Sequence, residues 1–231
     1  PGILAGEDPA LTFSSTVPPP RMMISCGPLE LAVSAISQWD EIHRLVMFST
    51  TSVFTKATSA NLQEREQIAE ILKFENILKV LCKKRSTELV ILRPTLIYGC
   101  GLDQNISRLA RWIKRFGWLP VAGAANGRRQ PVHADDLAEL AVSALQFETE
   151  LQLDSPACGG STLSYREMVE RIFDSQSRSR RVISLSPGLL SFGIRLASAL
   201  RLSGQTNQEM VARQSMDQVF DDSVLKEQLN Y

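Results

Sequence analysis

The stretch Leu89–Gly101, LVILRPTLIYGCG, decides the fold class of this 231-residue chain. It opens with an unbroken apolar run, Leu89–Leu92, and breaks at Arg93 and Pro94. A short apolar run between turn signals is typical of a strand buried on both faces, as in a parallel sheet. Ligands of open α/β sheets bind beyond the carboxyl ends of such strands. We therefore expect a binding site between Pro94 and Gly101.

A second segment, Arg129–Ala141 (RQPVHADDLAELA), also indicates the fold class. We expect an extended stretch that ends at His133 and an amphipathic helix over Leu137–Leu145, with Asp135 or Asp136 as its N-cap. A strand that runs directly into a capped helix fits a βαβ arrangement. Together, the two segments indicate a nucleotide-binding α/β protein.

Length and composition exclude several classes of protein. The chain is long enough for one large α/β domain or one domain with a small second lobe. Lys and Arg (25) balance Asp and Glu (25), so we expect neither nucleic acid nor a membrane as a partner. No apolar run reaches the ~20 residues that span a bilayer. The scattered cysteines form no CxxC pair, which argues against metal and disulfides and favours a cytoplasmic setting: Cys26, Cys82, Cys100 and Cys158.

The order of the predicted elements is typical of right-handed βαβ units in a parallel sheet. In the first half, strands are predicted at 21–25, 43–49 and 89–92, separated by helices at 29–39 and 62–84. Beyond Gly99 we predict helices at 105–116 and 136–146, a helix with a Ser164–Glu167 capping box, and short strands at 119–121, 129–133, 151–158 and 182–185. The long Leu62–Lys84 helix could also pair with its copy in a homodimer.

Several ordered blocks make the chain resemble the extended short-chain dehydrogenases/reductases, the NAD-dependent epimerase/dehydratase family. The blocks are HRLVMFSTTSVF (His43–Phe54), LRPTLIYGCGLDQNI (Leu92–Ile106), RQPVHADDLAELAVSAL (Arg129–Leu145) and GGSTLSYREMVERI (Gly159–Ile172). Glu75 also matches a glutamate common in the family. The resemblance covers roughly residues 21–175. It implies a Rossmann sheet that binds NAD or NADP and a smaller C-terminal lobe for a nucleotide-sugar or similar substrate.

The family's glycine-rich turn, which brings the cofactor pyrophosphate to a helix N-terminus, has no match here. Before Gly99 the chain has only Gly2, Gly6 and Gly27. We therefore expect an N-terminally truncated α/β fold: a Rossmann-like parallel sheet without its first βαβ unit. In this division, residues 1–98 form the NAD(P)-binding region and residues 99–231 form a mixed α/β substrate lobe. A Rossmann helix at about 134–146 returns from that lobe to the sheet.

The family's catalytic pair is also missing. Members use a Tyr with a Lys four residues later, and the lysine lowers the pKa of the tyrosine so that it can transfer protons near neutral pH. Counted back from Glu75, these positions fall on about Gln67 and Ile71. Thr50 matches the family's Ser or Thr. The resemblance therefore implies an active site with a nonstandard acid or base, for which Tyr98 and His133 are the candidates.

The resemblance and the predicted sheet edge together give a set of site residues. Thr50 would orient the substrate, and Tyr98 or His133 would transfer the proton. The predicted cofactor contacts are Ser49, Thr50, Thr51, Pro94 and Thr95. The predicted substrate contacts are Thr51, Tyr98, Asn105, Arg108, Arg129 and Gln130.

Most of these residues also have a plain structural alternative. The threonines could bond the backbone at a strand end, and Arg93 could pair with a carboxylate. His133 could have a purely structural role. Arg108, Arg111 and Arg115, at helical spacing, could clamp a substrate diphosphate or form a solvated helix face.

Two functions therefore stay open. The first is an NAD(P)-dependent epimerase/dehydratase-like enzyme, an oxidoreductase or epimerase that acts on a nucleotide sugar or similar hydroxylated substrate. The second is a non-catalytic NAD(P)-binding or assembly module that keeps only the fold. The missing Tyr and Lys favour the second function, whereas Thr50 and the arginines near the predicted cleft favour a bound ligand.

Overall fold

The computed structural model describes residues 18–199 and 208–231. In chain order its elements are β1 (Met22–Ser25), α1 (Leu29–Gln38), β2 (Arg44–Phe48), α2 (Ser52–Thr55), α3 (Leu62–Arg85), β3 (Glu88–Pro94), β4 (Ile97–Tyr98), α4 (Ile106–Phe116), β5 (Leu119–Ala122), β6 (Arg128–Arg129), β7 (Val132–His133), α5 (Ala134–Gln146), β8 (Leu153–Ala157), β9 (Leu163–Ser164), α6 (Tyr165–Ser175), β10 (Val182–Leu185), α7 (Pro187–Ala199), α8 (Gln208–Arg213) and α9 (Ser223–Leu229).

A four-stranded parallel sheet in the order β1-β2-β3-β8 forms the centre of the fold. The apolar run of β3 is buried along its length from Leu89 to Pro94. This confirms the prediction of a parallel α/β sheet around that stretch. Within the described residues, β1 pairs with β2 on one side only.

Helices cover both faces of the sheet because alternate side chains of each strand point to opposite sides. Leu45 and Met47 of β2 pack in a cluster with residues of α1 and α3. Val46, between them, packs in a second cluster with residues of α5 and α9. In the described ranges, no helix combines the length and the apolar run that crossing a membrane requires.

A single arginine ties α5 to the sheet. Arg44 is buried at the start of β2 and donates hydrogen bonds to the carbonyl oxygens of Ala144, Leu145, Phe147 and Thr149. These carbonyls lie at and just beyond the end of α5, where a helix leaves its last acceptors without partners. The Arg44 guanidinium therefore caps the C-terminus of α5, a position at which many helices end with a glycine.

The remaining strands form small pairs outside the main sheet. β5 pairs with β10 in parallel, and α4 and α6 pack beside them around Ile113, Val121 and Phe173. The predicted capping box of α6 is confirmed by both of its bonds, from the Glu167 N–H to Ser164 Oγ (3.1 Å) and from the Ser164 N–H to Glu167 Oε2 (2.7 Å).

Two local predictions in the second segment are wrong. The single strand expected at 129–133 is split into β6 and β7, which pair with β9 and β4 respectively. The N-cap of α5 is His133, whose Nδ1 accepts the Asp135 N–H at 3.2 Å, rather than either aspartate. Asp135 and Asp136 lie in the first turn, where their charges favour the positive end of the helix dipole.

Gly159 offers a sharp test of this packing because the backbone of another segment touches it. A Cβ at Gly159 would lie 1.7 Å from the Pro131 carbonyl oxygen, whereas a Cβ at neighbouring Gly160 would meet nothing within 4 Å. We expect Gly159→Ala to lower the free energy of unfolding by about 3 kcal/mol or more, since backbone must move. Gly160→Ala is the matched control. Equal stabilities of the two variants in urea denaturation would contradict this packing.

Candidate functional site

A cleft of about 300 Å³ opens at the carboxyl ends of β1 and β2, beside the N-terminus of α1. This is the edge at which open α/β sheets bind their ligands. Three segments supply its walls: the β1–α1 turn, the end of β2, and one face of α3. The lining residues are Gly27, Pro28, Leu29, Glu30, Phe48, Ser49, Thr50, Glu70, Ile71 and Phe74.

Thr50 lies at the end of β2 and lines this cleft. Its Oγ1 accepts the Ser52 N–H at 3.0 Å, a bond that helps to turn the chain into α2. The hydroxyl hydrogen has no acceptor among the described residues. Thr50 therefore serves the local turn and can still donate a hydrogen bond to a ligand.

The other predicted cofactor contacts lie around Thr50, but their side chains hold the strand ends together. Thr51 donates two hydrogen bonds to the Pro94 carbonyl oxygen, from Oγ1 at 3.0 Å and from its N–H at 3.1 Å. Thr95 donates from its N–H to the Ala157 carbonyl oxygen at 3.1 Å and from Oγ1 to the Gln130 carbonyl oxygen. These hydroxyl groups join neighbouring strand ends. This is the structural role that the sequence left open for the threonines as the alternative to binding a cofactor.

Arg93 forms the centre of a buried ionic network beneath the cleft. Its Nη1 and Nη2 each donate to Glu75 at 2.8 Å, and its Nε donates to Asp154 Oδ1 at 2.6 Å. Side-chain exposure is 4% for Arg93 and 2% for Glu75. Lys79 completes the network by an ion pair with Asp154 at 2.9 Å. Arg93 therefore pairs with carboxylates rather than with a ligand.

The network also fixes the residue next to Thr50. Ser49 Oγ donates to Glu75 and accepts from Arg93 Nη1 at 3.1 Å. Burial disfavours the charged form of Arg93, but hydrogen bonds to Glu75 and Asp154 outweigh this effect and raise the pKa of the guanidinium. Burial acts against the charge of Asp154 too, yet Arg93 and Lys79 lower the pKa of its carboxyl group. Hydrogen bonds to both carboxylates therefore keep the Arg93 guanidinium charged.

Tyr98 and His133 face each other as an edge-to-face pair, with ring centroids 5.1 Å apart. Because Nδ1 of His133 accepts the capping hydrogen bond, the neutral ring carries its proton on Nε2. Gly99 allows this arrangement, since it has φ +123° and a Cβ there would lie 2.8 Å from His133 Nε2. The two predicted acid/base candidates therefore lie together, although neither lines the cleft described above.

The predicted substrate contacts at the start of α4 differ in exposure. Asn105 is exposed, and the start of α4 is capped by Asp103, whose Oδ1 accepts the N–H groups of Asn105 (3.0 Å) and Ser107 (2.9 Å). Arg108 is partly buried, whereas Arg111 and Arg115 are exposed. The three arginines follow one face of α4, and Arg108 is its least exposed member.

Arg129 and Gln130 hold the C-terminal segment against the lobe. Arg129 is buried and donates to the carbonyl oxygens of Arg128 (2.7 Å), Met216 (2.6 Å) and Arg213. Burial lowers the pKa of the Arg129 guanidinium. Gln130 Oε1 accepts the Phe220 N–H at 2.8 Å. Both predicted substrate contacts thus use their side chains on the protein backbone.

The C-terminal segment also reaches the Rossmann part of the chain, a contact that sequence reasoning missed. Arg213 Nη1 donates to Glu64 at the start of α3 at 2.9 Å, and the rings of Phe54 and Phe220 lie 5.9 Å apart. The hydrogen bond from Arg213 is the main reason that the pKa of Glu64 falls to about 2. No periodic signal marks a pair separated by 149 positions.

Two carboxylates of the cleft, Glu30 and Glu70, were also missed. A helical signal could have found Glu70, because Gln67, Glu70, Ile71 and Phe74 follow the spacing i, i+3, i+4, i+7 of one helix face. Arg and Lys are absent from the lining residues of the cleft. Within the described ranges, no group of three His, Cys, Asp or Glu side chains is placed to bind a metal ion.

A parallel sheet with covering helices and a cleft at its carboxyl edge defines a Rossmann-type ligand-binding fold. The model of the NAD dependent epimerase/dehydratase family matches residues 27–153, more than half of the chain. The chain belongs to this family.

Individual relatives are more distant. An uncharacterized protein, y4nG, of Sinorhizobium fredii is 28% identical over 188 residues, which are 78% of this chain and 46% of that protein. A UDP-glucose 4-epimerase of Vibrio cholerae is 30% identical over 98 residues, which are 42% of this chain and 30% of that enzyme. The chain thus spans less than half the length of either relative.

Solved structures share the fold. UDP-N-acetylglucosamine 4-epimerase from Bacillus cereus superposes with a TM-score of 0.65 and 16% identity, over 91% of this chain and 71% of that one. UDP-glucuronic acid 4-epimerase from the same organism, in complex with UDP-glucuronic acid and NAD, gives 0.62 and 16%, over 88% and 61%. At such identities the likeness establishes the fold.

We expect the Arg93 network to dominate the stability of the site. Arg93→Met leaves buried Glu75 without its cation and should cost about 3–5 kcal/mol of unfolding free energy. The double variant Arg93→Met/Glu75→Leu should regain part of this loss, since no carboxylate is then buried alone. Arg180→Met, at an exposed ion pair, is the control and should change stability little. If Arg93→Met were as stable as Arg180→Met in urea denaturation, this result would contradict the role of the Arg93 network.

Proposed function

We propose that this chain supplies the nicotinamide end and the substrate side of an epimerase/dehydratase-type site with a nonstandard acid or base. The substrate class would be a nucleotide sugar or similar hydroxylated compound. The observation that carries the proposal is the cleft at the carboxyl edge of the parallel sheet, lined by Thr50, in a chain of this family.

The residues of the cleft fit one end of NAD or NADP. The volume of about 300 Å³ lies at the lower limit of small-molecule sites, enough for a nucleoside-sized group. Thr50 can donate a hydrogen bond, and Pro28, the N-cap of α1, supplies no side-chain bond to the first N–H groups of that helix. Phe48, Ile71 and Phe74 offer apolar surface to a flat ring. When bound, the cofactor would supply the acceptor for a hydride.

The lining of the cleft suits the nicotinamide end better than the pyrophosphate. Glu30 and Glu70 add negative charge, and the lining residues include no cation to bind a phosphate. We therefore assign Thr50 to the nicotinamide end, with Ser49, Thr51, Pro94 and Thr95 as its supporting frame.

Proton transfer in this site would fall to residues other than a Tyr–Lys pair. Glu70 lies on the same helix face as Gln67 and Ile71, the positions that match the family's pair, and it lines the cleft with Thr50. We place Glu70 first as proton acceptor. Tyr98, beside His133, is the second candidate on the substrate side.

A second function, a non-catalytic binding or assembly module, is favoured by one specific observation. Ile71 lines the cleft at the position that matches the family lysine, so no ammonium group stands there to lower the pKa of a phenol. A homodimer through α3 would suit such a module. Leu72 (37%) and Val80 (67%) are exposed on that helix.

Binding and turnover separate the two functions. Titration calorimetry of the full-length polypeptide with NAD⁺, NADH, NADP⁺ and NADPH should detect binding. Thr50→Ala should weaken it about three- to tenfold, the effect of one hydrogen bond. If UDP-sugars are turned over, Glu70→Gln should lower kcat about a hundredfold.

Glu66→Gln is the matched control for Glu70→Gln, because exposed Glu66 lies one turn earlier on α3 and does not line the cleft. Cofactor binding without turnover of any UDP-sugar would support the module. Absence of binding by all four cofactors would refute the enzymatic function and the cofactor-binding form of the module.

A further inference from the structure

An aromatic cluster lies exposed at the end of α4, far from the chemistry described above. Trp112, Phe116 and Trp118 are 40%, 46% and 38% exposed. The ring of Trp112 lies 4.4 Å from that of Phe116 and 6.2 Å from that of Trp118, measured between centroids. The Trp112 indole N–H donates to the Trp118 carbonyl oxygen at 3.0 Å. The cluster is thus an exposed apolar surface in which the Trp112 indole N–H already has an acceptor.

Exposed cations border this cluster on two elements. Arg111 and Arg115 lie on α4, with the Arg115 guanidinium 5.4 Å from the centroid of the Phe116 ring, and no ion pair with a carboxylate is found for either among the described residues. Arg178 and Arg181, in the α6–β10 connection, reach the same end: Arg178 Nη1 lies 3.4 Å from the Ile113 carbonyl oxygen, and the Arg181 carbonyl accepts the Leu119 N–H.

The nearby carboxylates do not offset these charges. Glu170 and Asp174 of α6 are both paired with Arg180. A chain whose overall charge is balanced therefore concentrates four cations around three exposed aromatic rings. We call this surface the aromatic–basic patch; it consists of Arg111, Trp112, Arg115, Phe116, Trp118, Arg178 and Arg181.

The chemistry of the patch excludes two occupants. A second copy of the patch would bring its cations against the same cations, and like charges repel. Single-stranded nucleic acid stacks successive bases on rings spaced along a basic groove, whereas these three rings form one compact cluster. An anionic lipid surface satisfies both halves of the patch, because its headgroups attract Lys and Arg and its interface accepts Trp and Phe.

We propose that the aromatic–basic patch binds the surface of membranes that contain anionic lipids. The contact is peripheral, with the rings in the interface and the cations at the headgroups. The sequence predicted no membrane partner, because the net charge is balanced and no apolar run is long enough to span a bilayer. The clustering of cations and aromatic rings on one surface is visible only in the folded chain. The proposal stands independently of the function of the cleft.

Vesicle binding tests the proposal. The protein is sedimented with phosphatidylcholine vesicles that contain about one-third phosphatidylserine, and with pure phosphatidylcholine vesicles. Binding should require the anionic lipid and fall with added salt. Arg111→Glu/Arg115→Glu should weaken it at least ~tenfold. The control Lys83→Glu/Lys84→Glu makes the same change of net charge on exposed residues of α3 and should have little effect.

Tryptophan emission supplies a second measurement that does not depend on a charge variant. In a Trp39→Phe background, emission comes from Trp112 and Trp118 and should shift to the blue on addition of the anionic vesicles. Equal binding of the two vesicle types, or equal loss in the two charge variants, would overturn the proposal. So would binding of an oligonucleotide or an acidic protein through Arg111 and Arg115 under conditions in which the vesicles do not bind.

Discussion

The buried guanidinium of Arg93 is the interaction on which the rest of the site depends. It holds Glu75 of α3 and Asp154 of β8 from its place on β3, so one side chain joins a helix to two neighbouring strands. Since a buried charge is tolerated only when it is fully paired, the three elements must meet in one arrangement. That arrangement fixes Ser49 and thereby places Thr50 in the cleft.

Above this network lies a cleft lined by a strand-end threonine, apolar side chains and two carboxylates. The threonine and the apolar walls suit a flat ring, and in our proposal Gln67 and Ile71 stand at the positions of the family's Tyr and Lys. Glu70 brings a carboxylate to the same face. The cleft is held by packing and ion pairs, which do not depend on the identity of the reacting groups. Fold membership and reaction must therefore be tested separately.

A feature could be predicted from the sequence when the interactions that form it are local. The buried run of β3 and the capping box at Ser164 depend on neighbouring residues, so periodicity and spacing indicated them correctly. The cap of α5 was assigned to an aspartate because carboxylates are common N-caps, whereas the imidazole of His133 already holds that position. The contact between Glu64 and Arg213 depends on tertiary structure, and a local pattern does not encode it.

Backbone hydrogen exchange with and without saturating NAD⁺, read by mass spectrometry, tests the central claim most directly: that the cleft beside Thr50 is the ligand site of this fold. The cofactor should slow exchange in the three segments that line it, residues 27–30, 48–51 and 70–74. Exchange around Trp112 should not change. Binding of NAD⁺ without protection of these three segments would contradict the account.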